Sequence, residues 1–233
     1  MKGLFCINKK VGIGEKDIHN HLLPGVDDGF KKAEDSLAAI KRMADQGCKK
    51  IVFTPHMNPD VYPEESEAHF REVYKEFVAQ IPSEWGVDTW LAAEYMVVKD
   101  FQKRAADKEL LTYRDGSILI EMSYYFKSEN IEETVFALNT EGHRPVLAHP
   151  ERYLYMADNL REFDRLRDMG CRFQMNRLSL SGIYGGESLK IMDYLLSRGM
   201  YDFMATDLHT LSQLDKLAEI SVRHKIAALL PAE

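Results

Sequence analysis

From Asp17 onward, short apolar runs alternate with longer amphipathic stretches, the pattern of strands and helices taking turns around a parallel sheet. Seven strands are predicted near residues 16–19, 50–54, 88–92, 117–121, 145–148, 172–175 and 202–206. Between them, apolar positions fall at helical spacing. In EDSLAAIKRMADQG, Leu37, Ile40 and Met43 share a face and Gly47 supplies a stop. EESEAHFREVYKEFVAQI, ETVFALNTEG, NLREFDRLRDMG, SLKIMDYLLSRG and LDKLAEISVRHKIAALL read the same way. Several of these end in Gly and run straight into the next strand, a compact connection. No linker or shift in composition divides the chain, so one domain over residues 1–233 is expected. The architecture expected is a closed or nearly closed (β/α) barrel of about seven units, with an open doubly wound sheet as the alternative.

Composition narrows the function classes. A net charge of -7 argues against attraction to a phosphate backbone, so nucleic acid is not an expected partner. Cys6, Cys48 and Cys171 are few and odd in number, which fits a reducing cytoplasm better than a disulfide framework. The opening MKGLFCINKKVGIGEK lacks the apolar stretch of a signal peptide, and no later run approaches a membrane span. A cytoplasmic location without membrane insertion is expected.

The chemistry collects where the apolar runs end. DIHNH sets His19 and His21 two apart, so on extended backbone both imidazoles point the same way. Alone, that spacing is weak. It recurs, however: IVFTPH ends in His56, DTWLAAE in Glu94, SILIE in Glu121, PVLAH in His149, and DFMATDLH in Asp207 and His209. In a parallel barrel all strand C-termini lie on one face, so these residues are expected to converge. An acid from the loop VDDG, Asp28 with Asp27 as its rival, completes a set of five histidines and four carboxylates. Imidazole with carboxylate suits Mn, Fe or Zn. Nine ligands exceed one ion and suit two or three ions about 3.5–4 Å apart, an arrangement that clamps the oxygens of phosphoryl transfer.

These residues resemble the polymerase and histidinol phosphatase (PHP) superfamily. Within it, they resemble the bacterial manganese-dependent protein tyrosine phosphatases of capsule and exopolysaccharide biosynthesis. DIHNHLLPGVDDG, the TPH after the second strand, HPERY and the late DLH carry the resemblance across residues 17 to 209. It implies a (β/α)7 barrel, PHP-type and TIM-like but distorted, with three metals on its C-terminal face. By motif, His19 and His21 would share an ion with Glu121 and Asp207, while Asp28, His56, Glu94, His149 and His209 complete the other sites. Arg152 of HPERY would face the phosphate, since a guanidinium can bind two oxygens at once, and a metal or a histidine such as His209 would assist the leaving group. The implied substrate is phosphotyrosine on a protein, the tail of a bacterial tyrosine kinase being the implied partner. A small-metabolite phosphatase of histidinol-phosphate type and a non-catalytic metal-binding regulatory module are the alternatives. Two departures stand out. Relatives often carry a second Arg soon after D-x-H, where this chain reads DLHTLSQLDKL, and the chain stops at LLPAE, sooner than the family pattern, so a C-terminal segment is expected to be missing.

CRFQMNR, Cys171 to Arg177, matches the C-x5-R spacing of cysteine-based phosphatases. It lacks internal glycine and precedes a strand, whereas that chemistry needs a glycine-rich phosphate loop after one. Cys171 is therefore expected to be a small core or strand-edge residue. Tyr124, Tyr125, Tyr153 and Tyr155 are expected at the rim, as packing or as a wall for an aromatic substrate. Asn176, ending the sixth strand, is a candidate pocket contact, and His69, His143 and His224 are expected to stand apart.

Overall fold

The structure, a computed structural model, describes residues 8–99, 101 and 110–231. Cys6 and the side chain of His224 lie outside the described residues. The fold is mixed α/β with parallel sheets. One sheet of six strands has the order β10-β9-β8-β7-β6-β4, and a second has the order β2-β3-β5. The ranges are β2 Lys16–Asp17, β3 Lys50–Phe53, β4 His56–Met57, β5 Asp88–Leu91, β6 Glu94–Met96, β7 Ser117–Glu121, β8 Arg144–Ala148, β9 Arg172–Asn176 and β10 Phe203–Ala205.

The two sheets are joined end to end. β3 pairs with β5 and β4 with β6, and the carbonyls of Phe53 and Pro55 accept from Ala92 and Glu94 at 2.9 and 3.0 Å across the break. At the far edge, Asn20 forms a parallel bridge with Leu208. There the Asp207 N–H donates to the His19 carbonyl at 2.8 Å and the His21 N–H to the Leu208 carbonyl at 2.9 Å. The buried Asp17 carboxylate adds to this seam, accepting from the Thr206 N–H and hydroxyl at 2.9 and 2.8 Å.

The helices are α1 Ala33–Asp45, α2 Glu67–Val78, α3 Ile131–Thr140, α4 Arg161–Asp168, α5 Gly185–Ser197 and α6 Leu211–Glu219. None among the described residues is long and apolar enough to cross a membrane. Strand alternation sends successive side chains to opposite faces. On the outer face, Ile118, Ile120, Leu147, Phe173 and Met175 belong to the large core packed by the helices. On the inner face, Leu119, Val146 and Ala148 form a small separate cluster with Tyr113 and Phe203 against it. Burial on both faces explains why β7 reads as a nearly unbroken apolar run.

One expectation fails at the C-terminal end. LDKLAEISVRHKIAALL is not helical throughout. It leaves the helix at Ile220, whose ψ of 123° is extended. Ser221–Arg223 then forms β11, antiparallel to β1, Asn8–Lys10, before a short α7, His224–Ala227. The partner strand β1, upstream of the read pattern, makes extended pairing available to the β-branched Val222, which is buried there.

Candidate metal centre

The functional side chains leave the C-terminal ends of the parallel strands. His19 and His21 follow β2, and the loop after them folds back on itself. The Phe30 N–H donates to the His21 carbonyl at 3.1 Å and the Gly25 N–H to the Phe30 carbonyl at 2.8 Å. The return is so close that a Cβ at Gly29 would lie 2.3 Å from the His21 carbonyl oxygen, so only glycine fits. This loop separates two adjacent acids. Asp27 is 2% exposed, and its carboxylate accepts from His21 Nδ1 at 2.7 Å, the His56 N–H at 3.0 Å and the Gly29 N–H at 2.9 Å. The Asp28 carboxylate, 58% exposed, instead faces His56 Nε2 at 3.4 Å and His209 Nε2 at 3.5 Å.

Glu94, at the start of β6, stands at the middle of the cluster. Its two oxygens lie 3.1 to 3.4 Å from ring nitrogens of His19, His21, His56 and His149. Asp207 Oδ1 lies 3.4 Å from His19 Nε2 and 3.3 Å from His21 Nε2, while Glu121 Oε1 lies 2.9 Å from His56 Nδ1. His209 stacks on His21 with centroids 3.9 Å apart. His149 and Asp207 have φ of 33° and 51°, the two positive values at non-glycine positions among the described residues. Such backbone carries strain that the surrounding contacts must hold, a frequent property of functional positions.

All nine residues expected from the sequence meet here, in four overlapping groups whose ligand-type atoms lie within 4.8 Å of one another. The grouping differs from the expected one: His19 also groups with Glu94 and His149, and His21 with Asp28, His56 and His209. Glu121 sits with His56 and Glu94, and the group of His19 and His21 is completed by Asp207. The register explains this: β7 lies beside β6, whereas the strand carrying His19 is bridged to the one carrying Asp207.

The donor set fits metal ions. Ligands about 2.0–2.2 Å from one ion lie roughly 3.0–3.4 Å from each other, the range of most separations above. His56 Nδ1, Glu94 Oε2 and Glu121 Oε1 are buried without a hydrogen bond, although both carboxylate oxygens lie in ion-pair range of His56 Nδ1. Buried polar atoms without hydrogen bonds are costly, and a cation shared by this trio would satisfy all three. Without one, the cluster relies on charge pairing. Burial disfavours the imidazolium of His21, yet Asp27 and the other carboxylates outweigh it and raise its pKa well above the ordinary value. Burial likewise opposes ionisation of Glu94, but His19 and His56 hold its carboxyl well below the usual range.

Arg152 reaches the cluster from the turn after His149. Its Nη1 donates to Asp207 Oδ2 at 2.6 Å, and its guanidinium lies 4.3 and 4.6 Å from the ring centroids of Tyr124 and Tyr184. Tyr124 also brings its hydroxyl within 3.3 Å of His149 Nε2. Asn176 does reach the site, donating from Nδ2 to Asp207 Oδ2 at 2.9 Å. Sequence reasoning missed the orienting role of Asp27 and the whole of Gln174, whose Oε1 accepts from His19 Nδ1 at 2.7 Å. The alternation Gln174, Asn176 on β9 was the available signal, since it sends two polar side chains to one face.

Cys171 lies apart from the centre, fully buried in the helix-packed core, and burial pushes its thiol up to about 12. It is not a thiolate nucleophile at neutral pH. His69, paired with Glu65 at 3.5 Å, and His143 take no part in the metal-type groups found among the described residues.

Comparison with known proteins places the chain in a family. The family model for capsular polysaccharide synthesis, CpsB/CapC, matches residues 15–221. The tyrosine-protein phosphatase CpsB of Streptococcus pneumoniae is 32% identical over 207 residues, covering 84% of this chain and 83% of that protein. The tyrosine-protein phosphatase YwqE of Bacillus subtilis is 30% identical over 195 residues, covering 83% and 76%. A crystal structure from work on YwqE and CpsB, described as unique metal-dependent tyrosine phosphatases, superposes with a TM-score of 0.73 at 27% identity, over 85% of this chain and 81% of that one. A phosphotriesterase homology protein from Escherichia coli shares the fold alone, with a TM-score of 0.53 at 13% identity over 95% and 92% of the two chains. By sequence over most of its length, and by the shape that brings these strand ends together, this chain belongs to the CpsB/CapC family of capsular polysaccharide synthesis proteins.

Proposed function

We propose that this chain hydrolyses phosphotyrosine on a protein substrate, with two or three divalent ions held by His19, His21, Asp28, His56, Glu94, Glu121, His149, Asp207 and His209. The observation that carries the proposal is Glu94, a buried carboxylate within 3.4 Å of four imidazoles. Nitrogen and oxygen donors without thiolate favour manganese, with iron or zinc as alternatives. We also read the seven strand runs as a closed (β/α)7 barrel in one domain over residues 1–233, supported by the Asn20 bridge to Leu208.

When bound, the ions would acidify water and offset phosphoryl charge. The protein's own groups do the rest. Asp27 and Gln174 fix the rings of His21 and His19 through Nδ1, leaving each Nε2 turned to the cluster. Arg152, held between Tyr124 and Tyr184, presents its free guanidinium donors to phosphate oxygens. His209 stands at the rim beside Asp28, suitably placed to assist the departing phenolate, a modest task for a leaving group of pKa about 10.

Openness supports a protein tail over a small metabolite. The Asp28 side is exposed, and Tyr125 and Phe126 stand out from the loop beyond Glu121 with 89% and 66% of their surface free. A phosphotyrosine tail of a bacterial tyrosine kinase in the cytoplasm is the partner we propose, on the strength of the family. The test is to strip the protein with a chelator and measure phosphate release from a phosphotyrosine peptide with and without manganese, beside His149→Ala. Release that needs metal and vanishes in the variant is expected. Chelator-resistant release, or none with any metal, would overturn the proposal.

A further inference from the structure

The opposite end of the strands carries a feature that metallophosphatase chemistry does not use. A cavity of about 320 Å³ opens there, walled by Ile18, Val52, Val146, Trp90, Tyr113 and Phe203. That volume is at the small end for ligand sites and suits one or two rings with a polar group. Leu119, Val146 and Ala148 form an apolar floor between it and the metal centre, so it is not a second entrance to that centre.

Its charges are arranged for an anion. Lys16 and Lys50 line the cavity and face each other directly in the β2–β3 register. Like charges set opposite on paired strands repel. Neither lysine has an ion-pair partner among the described residues, because Asp88, in register with Lys50, is bound by Arg114 Nη2 at 3.0 Å. Three cations and two carboxylates surround the cavity in a chain whose net charge is -7.

The walls favour a flat ring. Trp90 is 39% exposed, its indole N–H already donates to the Thr112 carbonyl at 2.8 Å, and Arg114 lies 4.9 Å from its ring centroid. Phe203, on the cavity wall, has the Arg172 guanidinium 5.1 Å from its ring centroid, and Arg172 itself, outside the lining, donates from Nη2 to the Ser117 hydroxyl. An aromatic ligand between Trp90 and Phe203 would stack on surfaces now open to water, and its anionic group would reach Lys16 and Lys50.

We infer that this cavity is a binding site for a small flat aromatic anion, an aryl carboxylate or a nucleoside monophosphate, distinct from the metal centre. The wall is tied to the centre through Tyr113, whose hydroxyl donates to the carbonyl of Ile18 at 2.8 Å, one residue before His19.

Trp85 and Trp90 are the two tryptophans, so Trp85→Phe leaves Trp90 as the reporter. In that background, Trp90 fluorescence is followed while 4-hydroxybenzoate or adenosine 5′-monophosphate is added, with inorganic phosphate as control. A saturable change with either aromatic anion, at a dissociation constant of about 0.1–1 mM, is expected, and the responding anion identifies the source. The response should weaken at least about tenfold in the Lys16→Ala/Lys50→Ala variant and persist in His149→Ala. Both lysines are exposed, so the double variant should fold as the parent does. No saturable response to either anion, a response indifferent to the lysines, or one lost in His149→Ala would overturn the inference.

Discussion

His21 Nδ1 donates to Asp27 Oδ2 at 2.7 Å, and the same oxygen accepts the His56 N–H at 3.0 Å, so one buried carboxylate orients two of the residues proposed to hold metal. Asp27→Asn removes the charge that fixes the His21 ring while preserving shape. Manganese affinity should fall about 10–100-fold, read as a rightward shift in the metal concentration that restores half of the activity. Unchanged metal dependence would mean that the loop alone orients the ring.

Arg152 donates to Asp207 Oδ2 at 2.6 Å from between two tyrosine rings. Arg152→Lys keeps the charge and loses both the planar fork and the stacking. We predict a drop in kcat/KM of roughly 10–100-fold, with manganese affinity changed far less. Near-wild-type kcat/KM would reduce Arg152 to a rim ion pair.

Cys171→Ala should leave phosphotyrosine hydrolysis unchanged and cost about 1 kcal/mol of stability, because the thiol is buried and held near 12. Iodoacetamide treatment of the folded protein should likewise spare activity. Loss of turnover in a variant that melts normally would restore the cysteine mechanism.

The pH behaviour of the metal-free protein follows from the cluster's charges. Glu94 and Asp207 are held well below their ordinary values, because nearby imidazoliums, His19 foremost, outweigh burial. Their stabilisation is complete above the unfolded carboxylate range and lost as pH falls through the depressed folded values. His21 and His56 run the other way. Carboxylates raise both well above the ordinary value against burial, so their stabilisation is complete below about pH 6.5 and lost as pH rises through the folded values. The metal-free melting temperature should peak between roughly pH 4.5 and 6.5. The manganese needed for half activity should fall with rising pH, since protons must leave the rings before metal binds. A melting temperature flat across that range would contradict the ion-pair account.

Periodicity and strand-end chemistry were legible without coordinates because both are local. Apolar runs located seven of the nine parallel strands, missing only the short β4 and β6 that follow β3 and β5, and a histidine or acid closing six of the seven runs named Glu94, Glu121 and His149 before any distance was known. The C-terminal stretch was misread for the opposite reason. Ser221–Arg223 is a strand only because Asn8–Lys10, more than two hundred residues earlier, pairs with it, and no local pattern carries that contact.

What the sequence by itself determined is therefore the set of side chains delivered to one end of a parallel sheet, since alternation and strand direction follow from the order of residues. Only the tertiary structure decided how neighbouring side chains divide the work. Asp27 and Asp28 are the same residue type one position apart, and the fold of the loop around Gly29 buries one against His21 and leaves the other facing His56 and His209. The strand register likewise joins Glu121 to His56 and Glu94, while Asp207 joins His19 and His21. The physical reason is that hydrogen bonding and charge pairing act over a few ångströms, a distance set by packing between segments far apart in the chain.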